Sequence, residues 1–213
     1  MKSWMYPDGK DWSGKYYQKV QWHDEFNIAP IASGVLSRAY LTEIRANINS
    51  FHATQSTPVM RAATLIADEF KAGRKTIVAT QGHAPWRFVG QYEDAKWGTL
   101  SDFDASSAAQ VENHRKSTPD GALVLRLGKH GLHTTEAAVL KEKNQRVVLI
   151  TVPTPVEEFI PPKDLALTID MGWRYGDAAI PIENYPIKIL PASGVMQLVA
   201  YEAINTEVLA RLP

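Results

Sequence analysis

Residues 123–136 read LVLRLGKHGLHTTE. An apolar run carrying one cation, Arg126, passes into Gly128-Lys129-His130-Gly131 and then into Thr134-Thr135-Glu136, where a helical pattern begins. A strand covered on both faces reads as a near-continuous apolar run, not as an alternation. A glycine-bearing loop between such a strand and a helix is how many α/β proteins hold an anion. Backbone N–H groups approach the oxyanion closely, and the helix N-terminus adds partial positive charge. Here the loop is cationic instead of rich in hydroxyls.

Working outward, KTIVAT (75–80) reads as a first strand that breaks at Gln81-Gly82-His83, and residues 122–127 as the strand already quoted. RVVLITV (146–152) and LALTID (165–170) follow as further strands. Helical spacing occupies about 134–144 and runs from about Ser193 to Leu212. Before the first strand the spacing predicts two helices. In one, Leu41, Ile44, Ile48 and Phe51 share a face, with Ser37 as its candidate N-cap. The second begins at Thr57-Pro58 and ends at Gly73. In 85–119 a short strand or a helix fits either half. Short buried runs separated by helices predict an α/β fold, a parallel sheet with helices on both faces.

Residues 1–34 carry Trp4, Tyr6, Trp12, Tyr16, Tyr17 and Trp22 among Gly, Pro and Asp without a sustained period. So many aromatics are costly to leave in water, so this arm is expected to pack on its own domain or on a second subunit, or to act as a lid over a ligand. The domain proper is placed at 35–213.

Lys+Arg and Asp+Glu both number 23 and the sequence pI is about 7.0. That balance gives no support to a nucleic-acid partner. The absence of cysteine removes disulfides and thiolate chemistry. With no apolar leader and no membrane-length run, no membrane association is expected and the cytoplasm is the expected location. The histidines have no metal-ligand spacing and no Gly-x-x-x-x-Gly-Lys-Ser/Thr stretch occurs, so neither a metal nor another cofactor is expected.

In an open parallel sheet, ligands bind beyond the carboxyl ends of the strands. This selects Gln81-Gly82-His83-Ala84, the 128–135 loop and Asp170-Met171-Gly172. LTEIRANINSFHATQSTPVMRAATLIADEFKAGRKTIVATQGH (41–83) resembles the opening of SIS (sugar isomerase) domains, in which two helices precede a strand ending in a glycine turn. LALTIDMGWRYGDAAIPIENYPIKILPASGVMQLVAYEAINTEVLARL (165–212) resembles the uncharacterised bacterial phosphosugar-binding branch of that family, through Asp170-Met171-Gly172, Gly176-Asp177-Ala178 and Pro191-Ala192-Ser193-Gly194. The resemblance covers about 37–212. It implies a three-layer αβα sandwich with a five-stranded parallel sheet of SIS or flavodoxin-like type, a homodimer, and binding of a phosphorylated sugar or other carbohydrate derivative. Isomerases, a lyase-type etherase and sensor domains all occur in the family. The chain departs from the family at the phosphate loop: Arg126, Gly128 and Lys129 lie across the turn where serines and threonine are usual, and Ala84 follows Gly82-His83 where a serine is common.

Two readings of the opening stretch follow. In one, Lys129, with Arg126 or His130, replaces hydroxyl donors by charge-assisted bonds, each about twice as strong, and Thr134 and Thr135 complete the clamp. In the other the phosphate site has decayed, Arg126 pairs with a nearby carboxylate, and Thr134 caps the helix. His83 and Glu136 are the candidate proton-transfer groups, against a structural hydrogen bond for His83 and a helix-dipole role for Glu136. Asp170 and Asp177 are candidate ligands for sugar hydroxyls or formers of Asx turns. Ser193 is a candidate phosphate donor or an N-cap. The function so read is phosphosugar binding, with aldose–ketose isomerase or lyase activity. Its alternative is a non-catalytic sugar-phosphate sensor or a degenerate SIS scaffold that works through its dimer or arm interface.

Overall fold

The computed structural model describes residues 29–80, 96–101, 108–128, 131–152, 165–172, 178–185 and 188–213. The aromatic arm up to residue 28, and Gly82, His83, Lys129, His130 and Asp177, lie outside the described residues.

Five strands form one sheet: β1 (Thr76–Thr80), β2 (Gly98–Ser101), β3 (Leu123–Leu127), β4 (Arg146–Thr151) and β5 (Leu165–Asp170). Their order across the sheet is β2-β1-β3-β4-β5, and every neighbouring pair is parallel. Among the described residues four helices cover the sheet: α1 (Val35–Lys71), α2 (Ala108–Ser117), α3 (Thr134–Glu142) and α4 (Ser193–Leu209).

Alternation along the strands sorts the core into two layers. Val78, Leu125, Leu127, Val148, Ile150 and Ile169 pack beneath α1 and α4. Ile77, Ala79, Val124, Val147 and Leu149 face α2 and α3. The α/β sandwich with a five-stranded parallel sheet is therefore present; the strand at 165–170 has its expected span, and the one expected at 146–152 ends one residue earlier, at Thr151.

The helix before β1 differs from expectation. Instead of two helices there is one of 37 residues, with Pro58 inside it. A proline in a helix interior removes one hydrogen bond, at a cost of about 3 kcal/mol. Thr54, whose carbonyl loses its partner, is exposed to water. The hydroxyls of Thr54 and Ser56 bond back to the carbonyls of Ser50 and His52, at 2.8 and 2.6 Å. Burial of Phe51, Val59, Ala62, Ala63 and Ile66 on both sides of the proline outweighs the loss.

The expected caps also move. α1 starts two residues before Ser37, after Gly34 at φ +80°, and the Ser37 hydroxyl donates to the Gly34 carbonyl at 3.1 Å. The cap of α3 is His133, not Thr134, and that of α4 is Ala192, with Ser193 buried as the first helical residue.

At the amino-terminal edge of the sheet, Glu69 near the end of α1 is buried and accepts from Arg74 Nε at 2.7 Å, from Arg74 Nη2 at 3.0 Å and from Arg146 at the start of β4. The hydrogen bonds from Arg74 lead in holding its carboxyl below the usual carboxylate range, with Arg146 adding to them against the cost of burial. A carboxyl depressed by folding stabilises the native state fully above its unfolded pKa, about 4.3, and loses that contribution as pH falls through the lower folded value. Urea denaturation should accordingly show Glu69→Gln less stable than the parent at pH 7, with the gap closing toward pH 3. A gap that stayed constant with pH would contradict this assignment.

Candidate functional site

From β1 the chain crosses to β2 on one side and then to β3, β4 and β5 on the other, so strand order reverses between β1 and β3. Loops leaving the carboxyl ends of the two strands at such a reversal diverge to opposite faces and open a crevice. Thr80 is in register with Leu127, so the chain leaves β1 and β3 side by side. The two loops in question are the one that begins at Gln81 and the one that begins at Gly128.

Under this crevice lies a buried ion pair. Arg126, in register with Ala79 and Leu149, turns toward the α3 layer and is fully buried, as is Glu136 in the first turn of α3. Arg126 Nε and Nη2 donate to the two carboxylate oxygens, Nη2 to Oε2 at 3.1 Å, and Nη1 donates to the Leu127 carbonyl at 2.8 Å. The planar guanidinium matches the carboxylate bidentately, and the carboxylate also sits at the positive end of a helix dipole. Both side chains are committed to each other, so their evident work is to fix α3 on β3 and thereby the two ends of the 128–133 loop.

The other expected site residues divide by position. The Gly128 N–H donates to the Ile150 carbonyl at 2.9 Å, so it continues the β3–β4 ladder. Thr134 and Thr135 are exposed in the first turn of α3, facing outward from the same end of the sheet, and the Thr135 N–H reaches His133 Nδ1 at 3.4 Å. Asp170 ends β5, two strands or about 10 Å from β3. Its Oδ1 accepts from the Gly172 N–H at 2.8 Å, an Asx turn that uses the φ of +80° at Gly172. Ser193 is fully buried at the start of α4.

Helix α1 supplies a wall. The Asp170 N–H donates to Gln55 Oε1 at 3.1 Å, and a methyl group on Gly172 would lie 3.9 Å from Ser50 Oγ. Since Glu69 meets Arg146 at the opposite edge of the sheet, the stretch Val35–Thr54, about 30 Å of helix, rises past the carboxyl ends of the strands.

A polar network not singled out in the sequence lies beside α3. His114 on α2 is buried; its Nε2 meets Gln145 Oε1 at 3.0 Å and its Nδ1 meets Ser101 Oγ at 3.3 Å. Gln145 Nε2 in turn donates to Thr118 Oγ1 and to the Pro119 carbonyl. With the amide oxygen on Nε2, that nitrogen carries the proton and Nδ1 accepts from Ser101. Burial is the leading cause that pushes the His114 pKa down, which keeps the imidazole neutral. Only a pairing between residues 31 apart reveals this group, and no local pattern carries that information.

Among the described residues there is no cluster of three or more metal-ligating side chains, and no helix is long and apolar enough to cross a membrane. The fold is similar to that of a phosphoheptose isomerase from Francisella tularensis, with a TM-score of 0.53 and 9% sequence identity over 84% of this chain and 100% of that one. No protein-family model and no curated protein matches the chain.

Proposed function

We propose that this chain binds a phosphorylated sugar, or another phosphorylated carbohydrate derivative, in the crevice between the carboxyl ends of β1 and β3. The observation that carries the reading is positional. The cationic Gly128-Lys129-His130-Gly131 loop opens helix α3 at the reversal of strand order, where an α/β sheet offers its ligand site. Support comes from the SIS-like sequence features and from likeness of fold to an enzyme whose name records a phosphorylated sugar.

In this reading Lys129, with His130, meets the phosphate, and the first-turn Thr134 and Thr135 add hydroxyl and backbone donors. Arg126 and Glu136 act underneath as a positioning pair. Proton transfer between sugar carbons, as an isomerase or lyase needs, then falls to His83 beside Gly82, since the Glu136 carboxylate is occupied by Arg126. Asp170 and Asp177 are left for sugar hydroxyls. The same commitment of Glu136 favours a second reading, in which the chain senses a sugar phosphate without transforming it.

A thermal-shift comparison of sugar phosphates with their unphosphorylated parents tests binding, because a ligand at a hundred times its Kd stabilises the native state by about 2.7 kcal/mol. Lys129→Ala should weaken binding of the phosphorylated member about 10- to 100-fold, the worth of a charge-assisted bond, and leave the parent sugar unaffected. Equal losses for both would sink the phosphate clamp. Turnover by the parent protein that His83→Ala abolishes would select the enzyme over the sensor.

A further inference from the structure

Away from the sheet edge, α1 and α4 enclose an open groove of about 520 Å³. Its floor is apolar, made by Ile48, Phe51 and Val59 of α1 and by Val199 and Ala203 of α4. Glu202 and Glu207 line it on the α4 side, the latter already paired with Arg211. The apolar stripe continues toward the start of α1. Leu41 is 64% exposed, lies seven residues before Ile48 and so falls on the same side of the helix. Val195 and Leu198 extend it on α4, each 37% exposed. A continuous apolar surface of this kind, edged by carboxylates, calls for an apolar segment that carries cations.

The chain contains one. Residues 12–22, WSGKYYQKVQW, hold Trp12, Tyr16, Tyr17, Val20 and Trp22 with Lys15 and Lys19, and no acidic residue interrupts them. The described chain begins at residue 29, ahead of α1. From Val35 to Ile48 the groove lies about 20 Å along the helix, a span that the residues between Trp22 and Val35 cover with ease, at about 3.3 Å each when extended. We infer that the segment Trp12–Trp22 docks into the α1/α4 groove of its own chain, with its aromatic side chains on the apolar floor and Lys15 and Lys19 toward Glu202. The docked segment covers the apolar face of the α1/α4 layer, independently of what the sheet edge binds.

The chain has no cysteine among its 213 residues, so cysteine pairs report the docking without interference. Gln18→Cys combined with Met60→Cys, at the groove, should form an intramolecular disulfide under mild oxidation. Its rate should exceed by on the order of tenfold that of Gln18→Cys with Lys141→Cys, an exposed position on the opposite layer, because docking raises the effective concentration only at the groove. Lys15→Glu with Lys19→Glu should slow the groove cross-link, and Glu202→Lys added to them should restore it. The groove cross-link separates docking from loss of folding, since the Lys141 pair serves as the reference in the same background. Equal rates at the two positions would overturn the inference. Covalent dimers in place of an intramolecular bond would overturn it in favour of a second copy's arm, and insensitivity to the charge reversals would remove its electrostatic basis.

Discussion

Replacing Glu136 by leucine is expected to lower the free energy of unfolding by about 3–5 kcal/mol, which for a domain of ordinary stability is a large share of the total. The substitution leaves the Arg126 guanidinium in a site with no measurable exposure, next to Val124 and Leu149, without the carboxylate that accepts from its Nε and Nη2, while Nη1 keeps the Leu127 carbonyl. An uncompensated charge in such surroundings costs several kcal/mol, whereas the intact pair roughly balances desolvation against attraction. The double replacement Arg126→Met, Glu136→Leu should therefore recover most of the loss, since apolar side chains of similar volume fill the space between β3 and α3. Equilibrium urea denaturation of the parent, the two single variants and the double variant forms a complete cycle. If the single variants lost less than about 1 kcal/mol, the pair would be relaxed and wet, and its role in holding the 128–133 loop would fall. The double variant also separates stability from function: a chain that folds normally yet fails to shift with phosphorylated sugars would place the pair's value in the orientation of the loop.

A loss of similar size is expected for Trp97→Ala, about 3–5 kcal/mol. Trp97 is the largest fully buried side chain among the described residues and precedes the edge strand β2. Its ring lies 6.0 Å from that of Tyr201 at an interplanar angle of 33°, its Nε1 donates to Asn205 Oδ1 at 2.9 Å, and its carbonyl accepts from the Thr76 N–H at 2.9 Å. One residue thus joins α4 to the β1–β2 edge. Trp97→Phe should cost less than the alanine change because it keeps most of the apolar volume, while Asn205→Ala should cost about 1–3 kcal/mol by leaving the indole N–H without that acceptor. Far-ultraviolet circular dichroism in urea reads all three. A denaturation midpoint for Trp97→Ala close to the parent's would show that the α4 contact contributes little.

The strands at 146–151 and 165–170 were legible because each is a short apolar run bounded by turn-forming residues, and a strand covered on both faces needs little more. The strand Gly98–Ser101 was not. It contributes one large apolar residue, Leu100, which is 37% exposed, and takes its order from pairing with β1 across more than twenty intervening residues. Helix α2 was hidden for a related reason, as only Val111 and His114 are buried along it. At Pro58 the local signal pointed the wrong way: a proline that suits the first turn of a helix sits mid-helix because packing on both sides compensates for it. At the candidate site, the glycine loop and the helix that follows it were readable from residue type. The partnership of Arg126 with Glu136 was open until the third dimension placed one above the other, since their separation of ten residues spans a strand end, a loop and a helix start.

The way α1 and α4 close on each other has a consequence for how the chain reaches this structure. Tyr40 bonds the Pro191 carbonyl across 151 residues, Asp170 bonds Gln55 across 115, and Trp97 bonds Asn205 across 108. Among the described residues no two strands of the sheet form a hairpin, so its strand contacts join residues far apart in the chain. Folding that depends on distant pairings has a large loop-closure entropy to overcome before contacts reward it, and it is correspondingly slow. During synthesis α1 is made well before α4, so Ile44, Phe51 and Ile66 wait for their cover until that helix is available. A chain truncated before Ser193 would keep that face open, in the condition in which newly made proteins associate with one another or are taken up by chaperones.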